Sequence, residues 1–368
     1  MRLRLSAVAC VLVLAGLVSA DDEPRTNVLS PKDAAAGWIH LFDGETTFGL
    51  EAKGGVKVDD GVLVIDGSKA GQVSSRVRFP VPVEIVAVAK WTGTGGGLLG
   101  IGGNATPVSK DQWADFRLTC VPIPGGYQTT TEMRKPGEDW KSIGKGTGGL
   151  GRSTIATNVT PGAMMYIRSI KLRPLGTEPL FNGKDLSGWK VFADPKRMNT
   201  KFEVTKDGEL SAKNGPGDLQ TEKQFDNFLL QLECKTNGKG LNSGVFFRCV
   251  PGQYQNGYEA QIHNAFKDDD RTKPVDFGTG AIYRRVPARK VVSNDNEWFT
   301  MTVVADGNHF ATWVNGYQTV AWTDERPPED NPRQGFRAEK GHISLQGHDP
   351  TTDLLFRNIR IAELPAKK

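Results

Sequence analysis

The chain of 368 residues is long enough for two domains that each bury a core. Its 43 glycines and 21 prolines, with few stretches of helical period, favour strands joined by turns over a helical fold. The formal net charge of +4 is too close to neutral to support nucleic-acid binding.

The first twenty residues predict a signal peptide. Arg2 and Arg4 precede an apolar run at 7–18, and small residues lead to a cleavage point after Ala20. The run is too short for a membrane span, and no later stretch is apolar enough to form one. We therefore expect an exported protein, periplasmic or extracellular, whose polar leader at 21–36 ends in a short helix.

A short sequence motif near residue 40 recurs near residue 180, and a second motif recurs at the end of each copy. The matching segments are W-I-H-L-F-D-G at 38–44 with P-L-F-N-G-K-D at 179–185, and I-R-S-I-K at 167–171 with F-R-N-I-R at 356–360. Both copies also place a strand, an Asp-Gly turn and a strand after the opening phrase. Such self-similarity predicts a tandem duplication, with one domain at 37–175 and a second at 178–364.

The two copies differ in the middle. At 92–103 the first copy has a glycine-rich run without Arg, Glu or His. The run also lacks the G-K-[ST] ending and the following helix of a phosphate loop, so a turn between strands explains it. We therefore expect the first copy to be a degenerate accessory or scaffold domain.

The second copy has two neighbouring strands within 242–263, each with one apolar and one polar side. Alternation on the second strand puts Glu259, Gln261 and His263 on one side, at a spacing of about 6.6 Å. Arg248, on the first strand, is expected beside this row. A solvated strand face would carry similar residues, but a carboxylate, an amide and an imidazole in line with an arginine favour a functional site.

Further strands follow almost without helix in the second copy. They are predicted at 298–305, 310–314, 317–322 and 341–348, separated by Asp-Gly, Asn-Gly and proline-rich turns. In the last of them Gln346 and His348 share the polar side. Strands with this spacing predict an antiparallel sandwich or jelly roll.

Three cysteines remain after the predicted signal peptide, namely Cys120, Cys234 and Cys249. Cys234 and Cys249 have the same apolar orientation and could form a disulfide or pack as small apolar side chains. An odd number of thiols favours packing.

These motifs together resemble the 3-keto-disaccharide hydrolase domain family. They occur in the order L-F-N-G-K-D-L-S-G-W, N-S-G-V-F-F-R, G-Y-E-A-Q-I-H, T-G-A-I-Y, E-W-F, W-V-N-G, G-H-I-S-L-Q-G-H and F-R-N-I-R-I. The resemblance covers 178–364 and is weak over 37–175. It implies an all-β chain of tandem concanavalin A-like (jelly-roll) β-sandwich domains, of the lectin/glucanase type, that acts on 3-keto-glycosides during glycan breakdown outside the cytoplasm.

The chemistry of such a substrate defines what the site needs. A ketone at C3 acidifies the hydrogen at C2, so a base can remove that proton and the enolate can expel the substituent at C1. Addition of water to the product completes net hydrolysis. The site must therefore supply a base, a stabiliser of the enolate and an acid near the leaving oxygen.

The candidate residues come from the polar strands and the neighbouring loop. We expect Glu259, His263 and Arg248 to be catalytic, with Arg248 stabilising the enolate. A divalent metal ion held by His263 and Glu259 is a possible cofactor. The residues expected to bind substrate are Asn242, Gln261, Tyr283, Gln346 and His348.

A second hypothesis is a non-catalytic carbohydrate-binding or cell-surface interaction module. The same sandwich serves enzymes and lectins, so the fold does not decide between them. A lectin can hold sugar with amides and aromatic rings alone, whereas Glu259 beside His263 adds groups that transfer protons. This pairing favours the enzyme, with a carbohydrate substrate and no nucleic-acid partner.

Overall fold

The computed structural model describes residues 29–101, 104–149 and 154–365. The predicted signal peptide at 1–20 lies outside this part of the chain. The helix α1 (Pro31–Ala35) begins after Ser30, whose hydroxyl accepts a hydrogen bond from the Asp33 amide at 3.1 Å. Among the described residues, no helix is long and apolar enough to cross a membrane.

The first domain is a sandwich of two antiparallel sheets. Its strands are β1 (Ile39–His40), β2 (Leu50–Lys53), β3 (Gly55–Asp59), β4 (Val62–Asp66), β5 (Gln72–Ser75), β6 (Val83–Gly93), β7 (Gly97–Ile101), β8 (Asn104–Pro107), β9 (Ala114–Ile123), β10 (Gly126–Arg134), β11 (Lys141–Gly149), β12 (Ile155–Val159) and β13 (Ala163–Pro174). One sheet has the order β11-β10-β9-β6-β13-β4-β3, with β1 beside β13. The other has the order β2-β5-β12-β7-β8.

The second domain is built in the same way. Its strands are β14 (Glu178–Pro179), β15 (Trp189–Val191), β16 (Lys201–Val204), β17 (Leu210–Lys213), β18 (Gly217–Phe225), β19 (Phe228–Thr236), β20 (Ser243–Cys249), β21 (Tyr258–Ile262), β22 (Phe299–Asp306), β23 (His309–Val314), β24 (Tyr317–Thr323), β25 (Gly341–Gly347) and β26 (Asp353–Glu363). The larger sheet runs β16-β17-β26-β19-β22-β23-β24, with β14 beside β26, and the smaller runs β15-β18-β25-β20-β21.

The two domains correspond strand for strand. Each of the strands β1–β13 has its counterpart thirteen strands later, with the same neighbours in both sheets. The expected all-β fold of tandem concanavalin A-like jelly-roll sandwiches is therefore confirmed. The strands pack as sandwiches because apolar residues recur at every second position and so share one face. In β6, for example, Val83, Ile85, Ala87 and Ala89 are buried and the residues between them are not.

The smaller sheet of the second domain is covered on both faces. Every residue of β20 and β25 is buried, although alternate residues point away from the sandwich core. The outer cover comes from connections at 250–257, 263–298 and 324–340. In the first domain β8 and β9 are joined by residues 108–113 alone. These longer connections turn an open sheet face of the second domain into an enclosed cavity.

The first domain packs against the larger sheet of the second. Trp313 donates from Nε1 to the carbonyl of His40 at 2.8 Å, and it belongs to the apolar core of the first domain together with Val304. Arg78 and Asp306 form a buried ion pair across this junction, with Nη2 and Oδ1 2.6 Å apart. The junction is thus an extension of a hydrophobic core.

Candidate active site

A cavity of about 410 Å³ lies on the outer face of the smaller sheet in the second domain. This volume is within the range of small-molecule sites. Its walls come from β20, β21 and β25 and from the covering connections. The lining residues are Asn242, Phe246, Gln255, Gly257, Tyr258, Glu259, Gln261, Tyr283, Arg284, Arg285, Pro332, Arg333, Gln346 and His348.

Strand register determines which side chains face the cavity. Ser344, Phe246 and Glu259 are direct neighbours across β25, β20 and β21, and Gly244 pairs with Gln261 one step along. The residues between them, such as Val245 and Ala260, point into the sandwich core. The expected polar row of β21 therefore does line a cavity.

Glu259 is the carboxyl group at the centre of the cavity wall. Burial raises its pKa to about 8, and the negative charges of Asp276 and Asp218 add to this effect. The cations Arg333 and Arg284 oppose the shift without cancelling it. A carboxyl group with this pKa can gain or lose a proton near neutral pH, as a general acid or base must.

Asp276 is a second carboxylate of the site that the sequence analysis missed. It accepts hydrogen bonds from Asn242 Nδ2 at 2.7 Å and from Gln261 Nε2 at 3.0 Å. It lies in the connection after β21 with a left-handed φ of 46°, and no sequence motif marks it. Gln261 also uses its Oε1 to accept from the Ile262 amide at 3.2 Å, so it positions Asp276 rather than a substrate hydroxyl.

Asp218 on β18 is a third carboxyl group behind the cavity. It is fully buried and accepts from Gln255 Nε2 at 2.9 Å, while its Oδ2 has no hydrogen-bond partner among the described residues. Burial raises its pKa to about 6. The pairing of Asp218 with Gln346 across β18 and β25 brings it near the site, and such a cross-strand pairing is not visible in the sequence.

Arg248 does not face the cavity, which corrects the expected role in stabilising an enolate. It is fully buried, and its guanidinium donates to the carbonyls of Asp226 and Arg337 at 2.9 and 2.8 Å. The cause is a β-bulge: the register of β20 against β25 shifts between Phe246 and Cys249, and Arg248 has a φ of 50°. The bulge breaks the alternation on which the expectation rested.

His263 is also absent from the cavity wall. Its ring Nδ1 is buried without a hydrogen-bond partner in the described part of the chain, and burial lowers its pKa. Of the two residues expected to share a metal ion, Glu259 lies on the cavity wall and His263 does not, and this cofactor stays a prediction. Among the described residues, no group of three or more His, Cys, Asp and Glu side chains is arranged to hold an ion.

The remaining expected residues lie at the cavity. His348 donates from Nδ1 to the carboxylate Oδ2 of Asp349 at 2.8 Å, and this hydrogen bond orients its ring. Tyr283 packs edge-on against Phe277, with ring centroids 5.2 Å apart. Gln346 lines the wall, and its Oε1 has no partner among the described residues. These groups offer hydroxyl, amide and imidazole contacts to a polar ligand.

Residues 176–362 match the model of the 3-keto-alpha-glucoside-1,2-lyase-like domain. The chain belongs to this family. The match spans the whole second sandwich and contains every residue of the cavity. Among curated proteins no relative matches the chain.

Three solved structures that are similar to the chain each cover about half of it. Two come from Parabacteroides distasonis ATCC 8503 and are described as candidate glycosyl hydrolases. One is 24% identical, covering 52% of this chain and 94% of its own, with a TM-score of 0.42. The other is 28% identical, covering 51% and 99%, with a TM-score of 0.40. The carbohydrate-binding module CBM66 from Bacillus subtilis is 18% identical, covering 49% and 97%, with a TM-score of 0.33.

Proposed function

We propose that the second sandwich cleaves 3-keto-glycosides by eliminating the C1 substituent and hydrating the product. The observation that carries this proposal is the position of Glu259, whose carboxyl group has a pKa of about 8 and lines a polar cavity of sugar size. The family description, a 3-keto-alpha-glucoside-1,2-lyase-like domain, supports the same chemistry. The predicted signal peptide supports an activity outside the cytoplasm.

The cavity does not suit direct hydrolysis of an ordinary glycoside. Retaining and inverting glycosidases use two carboxyl groups that face each other across the scissile bond. Glu259 is the only carboxyl group among the described lining residues. Asp276 and Asp218 stand behind the wall and act on Glu259 through their charge. One titrating carboxyl group is sufficient for proton abstraction next to a ketone.

The proposed reaction divides its steps among three side chains. Ionised Glu259 removes the proton at C2, and the electrons of the broken C–H bond form the C2–C3 double bond of an enolate. Arg333, the cation that most strongly opposes the raised pKa of Glu259, takes the role first expected for Arg248 and stabilises the enolate oxygen. The enolate then re-forms the C3 carbonyl, its C2–C3 electrons become a C1–C2 double bond, and the C1–O bond breaks while His348 donates a proton to the leaving oxygen. Water finally adds to the C1–C2 double bond: its oxygen binds C1, its proton returns to His348, and protonated Glu259 gives its proton to C2.

The test is turnover of 3-keto-glucosides of both anomers, with the parent glucosides as controls. We expect release of the leaving group from the ketone alone, because only the ketone acidifies C2. Glu259→Gln keeps the shape of the side chain and removes the base, so turnover should fall by about 10²–10⁴-fold. Unchanged turnover in this variant would contradict the role of Glu259. Saturable sugar binding without turnover would instead favour the carbohydrate-binding module.

A further inference from the structure

Three arginines line one side of the cavity, namely Arg284, Arg285 and Arg333. None of them forms an ion pair within the described residues. By contrast, the neighbouring Arg326 contacts the carboxylate of Asp324 through two nitrogens, at 2.7 and 2.8 Å. The same region therefore provides a carboxylate for an arginine that faces the protein, but none for the three at the cavity.

Two of the three guanidinium groups are held by main-chain carbonyls. Arg285 Nη2 donates to the Arg333 carbonyl at 2.8 Å, and Arg333 Nη2 donates to the Gln255 carbonyl at 2.7 Å. Carbonyl acceptors fix a guanidinium without neutralising its charge. Arg284 is on the same turn as Arg285, has a φ of 58°, and stands 5.4 Å from the Tyr283 ring.

The charge of the cavity is therefore unbalanced. Among the described lining residues, Glu259 is the only acid, and it favours the neutral form at neutral pH. Three positive charges remain, two of them held in place by main-chain carbonyls. Like charges crowded together are costly unless a ligand brings the compensating charge. Burial lowers the pKa of Arg285, and the positive charge of Arg326 adds to this effect.

We propose that Arg284 and Arg285 bind an anionic group of the substrate, so that the preferred 3-keto-glycosides carry a carboxylate or a similar planar oxyanion. This inference rests on the proposed function. Guanidinium groups bind carboxylates through pairs of parallel hydrogen bonds, which give orientation as well as affinity. The anion belongs either to the leaving group or to C6 of the sugar ring, and matched substrates separate these sources.

The experiment compares three 3-keto substrates that differ in charge. The first is the 4-carbamoylphenyl 3-keto-glucoside, which is neutral, and the second is the 4-carboxyphenyl 3-keto-glucoside, of nearly the same shape. The third is the 4-carbamoylphenyl 3-keto-glucuronide, which carries its charge on the ring. For each we measure kcat/KM in the full chain and in Arg284→Gln and Arg285→Gln. Lys206→Gln, an exposed change on a turn that does not line the cavity, is the control for net charge.

We expect one anionic substrate to be preferred over the neutral one, and the preference to fall by about 10-fold in Arg284→Gln or Arg285→Gln. The preference of Lys206→Gln should stay unchanged, and in each arginine variant kcat/KM for the neutral substrate is the reference from which the preference is calculated. The preference should also weaken as salt is added. The identity of the preferred substrate locates the anion on the leaving group or the ring.

Two results would overturn the proposal while leaving the proposed function intact. One is equal kcat/KM for neutral and anionic substrates in the unmodified chain. The other is an equal loss for all substrates in both arginine variants with an unchanged melting temperature, which would assign the arginines to the reaction itself. Failure to convert any of the three would instead contradict the proposed function. Calorimetric titration with the 4-carboxyphenyl glucoside and with the 4-carbamoylphenyl glucuronide, each against the neutral 4-carbamoylphenyl glucoside, then tests the anion site separately. Equal affinities for all three would overturn it.

Discussion

The side chain of Glu259 lies directly over Gly244 of the neighbouring strand. A Cβ atom added at Gly244 would stand 2.7 Å from Cγ and 3.0 Å from Cδ of Glu259. Both distances are shorter than van der Waals contact allows. The absence of a side chain at Gly244 therefore provides the space in which the carboxyl group reaches the cavity.

Gly244→Ala should displace the carboxyl group while leaving the strand intact. A displacement of about 1 Å at a reacting group can cost about 10²-fold in rate, so we expect a loss of this order in kcat. The double variant with Glu259→Gln should lose little more than Glu259→Gln alone, because the two changes affect one group. Gly144→Ala is the control, since a Cβ added there meets nothing within 4 Å, and it should leave kcat unchanged.

The pH dependence of turnover should follow the ionisation of Glu259. As a base the group must be ionised, so kcat/KM is expected to rise with pH and level off above about 8. The profile of Glu259→Gln should lack this rise. A rise centred near pH 4.5 would show that the carboxyl group is not perturbed.

The same raised pKa predicts the effect of Glu259 on stability. The folded protein holds the proton up to about pH 8, whereas the unfolded chain releases it near 4.5. The stabilising contribution is therefore complete below pH 4.5 and is lost as the pH rises through 8. Each unit of the difference is worth about 1.4 kcal/mol. The free energy of unfolding of Glu259→Gln should exceed that of the unmodified chain increasingly between pH 5 and 8.

Arg248 should prove structural. Arg248→Met removes the donors to the carbonyls of Asp226 and Arg337 and leaves these acceptors buried, so we expect a loss of about 3 kcal/mol in the free energy of unfolding. Turnover by the folded variant, and its pH profile, should be nearly unchanged. A decrease in turnover of about 100-fold with unaltered stability would contradict this interpretation and support a catalytic role for Arg248.

The second sandwich should depend on the first for stability. A chain beginning at Glu178 would expose Leu229, Val304 and Trp313, which now belong to the core at the junction. We expect this fragment to aggregate and to become soluble when residues 29–175 are co-expressed. If the fragment is soluble and fully active alone, the second sandwich does not depend on the first for its stability.

A single substitution in the Arg78–Asp306 ion pair tests whether the contact between the two domains is buried. Arg78→Ala leaves the Asp306 carboxylate, 1% exposed, without its main cationic partner, and should cost about 3–5 kcal/mol. Arg134→Ala breaks the more exposed pair with Asp115 and should cost about 1 kcal/mol or less. Similar costs for the two changes would contradict a buried junction.

Metal removal should have no effect on the proposed reaction, because its steps use the side chains of Glu259, Arg333 and His348 alone. We expect the same turnover before and after dialysis against a chelator. If dialysis abolishes turnover and one divalent ion restores it, the hypothesis of a metal cofactor is supported.

The sequence by itself determined the architecture and part of the site. Period-two alternation, the Asp-Gly and Asn-Gly turns and the repeated opening and closing phrases are local signals, and they predicted two jelly-roll sandwiches. The same alternation placed Glu259 and Gln261 on one face, because a register slip would move Tyr258 and Ile262 out of the core.

Only the tertiary structure decided which neighbours that face has. A β-bulge turns the Arg248 side chain away from the cavity. The pairing of β18 with β25 places Asp218 beside Gln346. A long connection carried Asp276 to the amides of Asn242 and Gln261. Bulges, sheet order and loop closure depend on residues far apart in the chain, so no local pattern encodes them. The raised pKa of Glu259 is a product of that assembly.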